Sequence, residues 1–204
     1  MLIIGLTGSV GMGKSTAAQR LRELGVPVCD ADALVHELYE GEAVAPIEAA
    51  FPGTTGDGKV DRQKLSAAVL AAPAGFKRLE AIVHPLVKAA ERDCLKAAFQ
   101  SGAEMAVLEV PLLFETGGDR RCDVIVVVSA PTEVQRQRVL ERPGMTAEKL
   151  DAILARQVPD AEKRARAHWV VDTGGTIEHT LDQIDKLVEA MRGRRGSAYE
   201  RHWV

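Results

Sequence analysis

The segment Gly8-Ser-Val-Gly11-Met12-Gly13-Lys14-Ser15 matches the spacing G-x-x-x-x-G-K-[ST] in full. It follows a short apolar run, Leu2–Thr7, and opens an amphipathic stretch over 15–24 that stops before Gly25. A strand, a glycine loop and a helix in that order commit the chain to a parallel α/β sheet. Glycines let the backbone turn with its N–H groups inward, which makes a nest for anions. The helix that follows presents its positive end to the same point. Lys14 adds a compact charge for β- and γ-phosphates, and the Ser15 hydroxyl can ligate Mg²⁺. Gly8, Gly11, Met12, Gly13, Lys14, Ser15 and Thr16 are therefore the candidate nucleotide-binding residues, with ATP and Mg²⁺ the implied ligands.

Four further apolar segments read as buried strands: Val26–Asp30, Met105–Val110, Asp123–Val128 and His168–Asp172. Helical patterns separate them, so the strands are expected to be parallel with right-handed crossovers. Asp61 reads as an N-cap for 62–71, and Pro85 as the first turn of a helix running to about residue 100. Thr132 reads as the cap of a helix to about 141, and Thr146 starts another to about 158. The last helix spans about 177–192. The expected architecture is a three-layer P-loop fold with a five-stranded parallel sheet. Its nucleotide-binding core comprises 1–32, 105–132 and 167–192. Residues 33–104 form a helical insertion on the acceptor side, too long for a simple crossover. Residues 133–166 carry six arginines and two lysines and read as a mobile lid. Residues 193–204 read as a loosely held tail.

Composition narrows the function. Net charge is −3, which argues against a nucleic-acid or membrane partner through bulk electrostatics. The longest aliphatic run, Val124–Val128, is far short of the ~20 residues of a membrane span. The three cysteines, Cys29, Cys94 and Cys122, lack metal spacing and read as buried thiols in a reducing, cytoplasmic setting. The chain has no asparagine, so the Asn-Lys-x-Asp element of guanine recognition is absent. A kinase acting on a small molecule fits better than a GTPase or a large ATPase.

Asp30-Ala-Asp32 follows the second strand, at the sheet edge where open α/β folds bind ligands. One carboxylate could accept or orient the proton of an attacking hydroxyl while the other supports Mg²⁺. Alternatively both are turn residues, with Asp32 capping the next helix. Arg138 and Arg142 are four apart and share a helix face up to Pro143, and Arg156 lies on the next helix. These arginines either bring positive charge to the transferring group or form a solvated charged face with Glu133, Glu141 and Glu148.

At this point the chain resembles the dephospho-CoA kinase family. The resemblance rests on Gly5-Leu-Thr-Gly8, the glycine loop, Asp30-Ala-Asp32, Asp57-Gly58-Lys-Val-Asp61-Arg62-x-x-Leu65 and Ile82-Val-His84-Pro85-Leu-Val. Val110-Pro-Leu-Leu-Phe-Glu115, Gln135-x-x-Arg138-x-x-x-Arg142 and Ala167-x-x-Val170-Val-Asp172-x-Gly174 follow in the same order, so that about 1–190 is covered. It implies transfer of the ATP γ-phosphoryl to the 3′-hydroxyl of 3′-dephospho-CoA, giving coenzyme A and ADP. By that resemblance Lys14, Asp32 and Arg142 are catalytic, Arg138 contacts the nucleotide, and Ser15 and Asp30 serve the metal. His84, Leu113, Phe114 and Glu115 line the acceptor site with Asp32. From sequence alone, His84 reads equally as a helix-start residue and 111–114 as core. His36, Glu109 and Thr173 stand where the family frequently has Arg, Asp and Asn. The oligomeric state is not fixed by these residues.

Overall fold

The computed structural model describes residues 1–204 and divides into two compact units, Met1–Cys29 with Leu95–Val204, and Asp30–Cys94. The strands are β1 (Leu2–Thr7), β2 (Val28–Asp30), the short β3 (Thr55–Gly56) and β4 (Lys59–Val60), β5 (Met105–Glu109), β6 (Val124–Ser129) and β7 (Trp169–Asp172). The helices are α1 (Lys14–Glu23), α2 (Ala31–Leu38), α3 (Val44–Ala50), α4 (Arg62–Ala71), α5 (Gly75–Gln100), α6 (Thr132–Leu140), α7 (Ala147–Leu154), α8 (Asp160–Arg166), α9 (Ile177–Met191) and α10 (Ala198–His202).

The five long strands form one sheet in the order β2-β5-β1-β6-β7. β1 is central and runs parallel to β5 and β6, with Ile4 opposite both Val107 and Val124. Side chains alternate across it. Leu2, Ile4, Leu6, Val124, Val126 and Val128 pack with Ala17, Ala18 and Leu21 of α1 and Ile184, Leu187, Val188 and Met191 of α9. Ile125 and Val127 point the other way, into Leu113 and Phe114. Cover on both faces is why these strands are continuously apolar. Each fully buried aliphatic side chain contributes roughly 1.5–3 kcal/mol relative to exposure. Arg20 of α1 also grips Asp185 of α9 through Nε and Nη2, both at 2.7 Å.

The unit Asp30–Cys94 has its own core of Leu38, Ala43, Ile47, Phe51, Val60, Leu65, Val69 and Val83. It begins three residues before the expected insertion and ends ten before it, so the last turns of α5 fall to the larger unit. β3 and β4 form a hairpin the sequence reading did not include, turning at Asp57 (φ 51°) and Gly58 (φ 75°). Positive φ at both positions is what a two-residue Asp-Gly hairpin requires. The expected Asp61 cap is present, its Oδ1 accepting from Gln63 N and Lys64 N.

Several expectations are corrected. Pro85 lies inside the 26-residue α5 and does not start a helix. The apolar side chains Leu79, Ile82, Val83, Leu86 and Val87 keep helical spacing across it and hold both halves to one core. Pro131, not Thr132, occupies the N-cap of α6. Cys122 is a free, half-buried cysteine, whereas Cys29 and Cys94 are not thiols, which corrects the reading of those two. No helix is long and apolar enough to cross a membrane.

The tail is held, contrary to its polar appearance. Asp123 Oδ1 accepts from Ser197 N and Ala198 N at the start of α10. Tyr199 stacks on Phe99 with ring centroids 4.6 Å apart. Trp203 is buried, donates from Nε1 to Arg121 O at 3.0 Å, and lies under the Arg121 guanidinium. Trp203→Ala should therefore destabilise the protein by about 3 kcal/mol in urea unfolding, the range for a buried aromatic truncation. A change below about 0.5 kcal/mol would return the tail to the status of a loose end.

Candidate active site

The glycine loop is fixed by close packing as much as by conformation. A Cβ on Gly8 would lie 2.4 Å from Val128 Cγ2 and 2.7 Å from Val128 O, so only glycine lets the loop sit on β6. Gly13 is the N-cap of α1 in the left-handed region, φ 81° and ψ 18°, which glycine adopts without strain. No side chain caps this helix and its first turn contains no acid. The first intrahelical bond runs from Ala17 N to Gly13 O. The preceding N–H groups, those of Lys14, Ser15 and Thr16, are the ones a helix start offers to an anion. The Ser15 and Thr16 side chains are exposed beside them.

Lys14, at the first position of α1, is partly exposed and engaged by a carboxylate. Its side chain is 14% exposed and its Nζ is 2.7 Å from Glu109 Oε1, at the end of β5. Glu109 is itself 3% exposed, and its Oε2 takes Arg22 of α1 at 3.2 Å. A buried carboxylate is tolerated only when paired. Here two cations from one helix pair it, and the lysine is held at the mouth of the loop.

The loop is also gripped from behind. Thr173 Oγ1, just after β7, lies 2.8 Å from Met12 O and 3.2 Å from Ser129 O. Arg138 of α6 donates to Thr173 O at 2.6 Å and to its Oγ1 at 3.3 Å. Arg138 is thus braced against the loop that follows β7. α6 ends at Leu140 and Arg142 lies in the tighter turn after it, its N bonded to Val139 O. The two arginines therefore do not share one helix face. Arg142 and Arg156 are both exposed.

Leu113 and Phe114 are buried, at 1% and 7% exposure, but Leu112 is exposed and Pro111 half-buried, so the core reading of 111–114 holds only for its last two residues. Arg166 of α8 lies over the Phe114 ring. Glu115 Oε1 accepts from Val158 N at 2.7 Å and lies 2.9 Å from Lys163 Nζ, on a side chain with no exposure. The lysine approaches off the hydrogen-bonding direction. Its Nζ, Glu115 Oε2 and Asp160 Oδ1 are buried without a hydrogen-bond partner. Burial alone would raise the Glu115 pKa, yet the Lys163 charge and the Val158 N–H outweigh it and hold the carboxyl below the usual range.

In the helical unit, Asp30 performs the capping expected of Asp32. Its Oδ1 accepts from Asp32 N at 3.0 Å and Ala33 N at 3.2 Å. Asp32 is left exposed in the first turn of α2. Arg62 Nη2 donates to His36 Nδ1 at 3.0 Å, which requires the proton of a neutral ring to be on Nε2, and lies over the Tyr39 ring. A cation therefore accompanies His36, where the family frequently has Arg. His84 is exposed on α5, one residue before Pro85.

Residues 2–179 match the family model described as dephospho-CoA kinase. The chain belongs to the dephospho-CoA kinase family. It is 60% identical over 190 residues to the dephospho-CoA kinase of Rhodopseudomonas palustris, covering 93% of this chain and 96% of the relative. It is 57% identical over 197 residues to that of Mesorhizobium japonicum, covering 97% and 100%. A Thermus thermophilus protein of known crystal structure superposes with a TM-score of 0.81 at 37% identity, covering 95% of this chain and 98% of that one. The protein is a kinase of the last step of coenzyme A synthesis, and its glycine loop, central β1 and parallel sheet are the P-loop kinase fold.

Within this dephospho-CoA kinase, sequence reading missed Glu109 as the partner of Lys14. The signal was an acid ending an otherwise apolar strand. Lys163 was not separable by sequence from the other charges of 133–166, because only tertiary packing shows that it is buried. Removing either member of a buried pair strands the other charge, so Lys163→Met and Glu115→Gln should each destabilise by about 3 kcal/mol. The double variant should recover part of that loss in a thermodynamic cycle. The depressed Glu115 pKa stabilises the fold above the unfolded carboxyl value of about 4.3. This contribution disappears as pH falls through the folded value, and Glu115→Gln should flatten that part of the acid unfolding curve. Additive single effects with an unchanged acid limb would show that the pair does not couple.

Proposed function

We propose that the chain transfers the γ-phosphoryl of ATP to the ribose 3′-hydroxyl of 3′-dephospho-CoA. The 3′ oxygen forms a bond to the γ-phosphorus and the bond to the β,γ-bridging oxygen breaks. The electron pair leaves on ADP and the hydroxyl proton passes to Asp32. The observation that carries this reading is the start of α1, left uncapped by any side chain with Lys14 poised beside it. Backbone N–H groups of Gly8, Gly11, Met12, Gly13, Lys14, Ser15 and Thr16 cradle the phosphates. Lys14 shares its charge between Glu109 and the nucleotide.

Asp32 is the better base candidate because Asp30 caps the helix and leaves Asp32 exposed. Magnesium that travels with a nucleotide needs only one or two protein oxygens, and the exposed Ser15 hydroxyl fits that need, with Asp30 the second candidate. When bound, Mg²⁺ supplies neutralisation of the β- and γ-phosphate oxygens. Arg142 adds charge as the phosphoryl group moves, whereas Arg138, tied to Thr173, keeps the nucleotide side of the loop in shape. His84 and Glu115 are candidate acceptor contacts, and so are Leu113 and Phe114, which the fold buries.

With Mg²⁺ and ATP, 3′-dephospho-CoA should be phosphorylated far better than AMP, adenosine, shikimate or pantothenate, with the new phosphate on the 3′ position by mass spectrometry. The pantetheine arm offers remote binding energy that a small acceptor lacks. AMP serving equally well would sink the acceptor assignment. Separately, Asp32→Asn should lower kcat by about 100-fold or more while ATP affinity stays within about threefold. Collapse of ATP binding with normal turnover per bound site would assign Asp32 to the metal or the fold instead.

A further inference from the structure

Val10, at the tip of the phosphate loop, has both of its backbone polar groups held by side chains from one distant stretch of chain. Gln135 of α6 donates from Nε2 to Val10 O at 2.7 Å. Val10 N donates to Gln157 Oε1, three residues past the end of α7, at 3.2 Å. The orientation of each amide follows from its partner. A backbone N–H can only donate and a carbonyl can only accept, so Gln157 must present oxygen and Gln135 nitrogen. Gln135 is 4% exposed, which makes its amide a built part of the site and not a surface contact.

The neighbours of these glutamines are pinned as well. On α6, Gln135 is followed at helical spacing by Arg138, bonded to Thr173, and by Val139. A Cβ on Gly11 would lie 2.4 Å from Val139 Cγ2, so the helix sits directly against the loop. Beyond α7, Val158 N donates to Glu115 Oε1 at 2.7 Å. The segment 156–158 is thus tied to the loop by Gln157 and to the turn after β5 by Val158. Arg156, exposed, is carried on that doubly held segment.

We infer that Gln135 and Gln157 are positioning residues for phosphoryl transfer. Together they clamp the Val10 peptide units, set the curvature of the phosphate loop, and register the Arg156 segment against it. Neither touches the reacting atoms. Their effect passes through the loop and through Arg156, and so falls mainly on the transition state. The inference rests on the nucleotide binding proposed for the loop.

The test uses one substitution at two positions with opposite expected results. Gln157→Glu keeps an acceptor facing Val10 N, whereas Gln135→Glu places an acceptor against Val10 O. Gln157→Met and Gln135→Met remove each hydrogen bond at similar length. In steady-state kinetics with ATP and 3′-dephospho-CoA, both Met variants and Gln135→Glu should lose about tenfold in kcat, with the KM for ATP within about threefold. Gln157→Glu should regain at least half of the kcat lost by Gln157→Met. Thermal melts of the same samples correct each kcat for the folded fraction.

Corrected kcat values within twofold of wild type for both Met variants would overturn the inference. So would an identical response of the two positions to Glu, or a loss confined to the melting temperature. The wild-type assay in the same series tests the nucleotide reading separately. Failure there removes the reading itself, while normal wild-type turnover with silent glutamine variants removes only the inference.

Discussion

The arrangement of the phosphate loop depends on a carboxylate that water hardly reaches. Glu109 ends β5 among apolar neighbours, and an isolated charge there would cost several kcal/mol. Lys14 and Arg22, both on α1, make it tolerable. The pairing also fixes α1 at its first residue, where the loop ends, and again two turns later. α1 in turn grips α9 through Arg20 and Asp185. In the proposed nucleotide complex, an arriving phosphate would meet an ammonium already held by Glu109, and Glu109 would compete with the nucleotide for that charge.

Much of the fold was legible because its signals are local. β1 is a buried, mostly apolar run closed by a glycine loop, and Asp61, Thr146 and Thr176 cap their helices through their own side chains. The failures fall where tertiary contacts override local rules. Pro85 has the chemistry of a helix start, yet α5 runs through it because apolar residues on both sides share one core. Residues 193–204 have the composition of a loose end, yet Tyr199 and Trp203 recur four apart and both find partners. That spacing was visible in the sequence, but what would cover it was not.

The same division holds for the site. Gly8, Gly13 and Lys14 stand out in the sequence because a glycine loop that opens a helix is a local backbone device with a fixed spacing. Glu109, Gln157 and Lys163 are not, because their roles come from partners 95, 147 and 48 positions away: Lys14, Val10 and Glu115. Sequence spacing finds groups that act through their own helix or turn. A side chain that acts on another part of the chain has no such spacing, and even an acid that ends an apolar strand, as Glu109 does, does not reveal its partner until packing is known.

The pair Asp30 and Asp32 shows how local geometry can separate two similar residues. Asp30 is extended, φ −92° and ψ 108°, which aims its carboxylate back at the N–H groups of residues 32 and 33. That is the geometry of a helix N-cap, and it engages the side chain in holding α2. Asp32, two positions on, already belongs to the helix, so its carboxylate leaves the axis toward solvent. Phosphoryl transfer through a loose transition state makes little demand on proton removal and much on aiming the nucleophile. A carboxylate on a capped, rigid first turn has the fixed direction that the role proposed for Asp32 requires. The cap on Asp30 supports that proposed role, since without it the first turn of α2 and the direction of the Asp32 side chain would be free to wander.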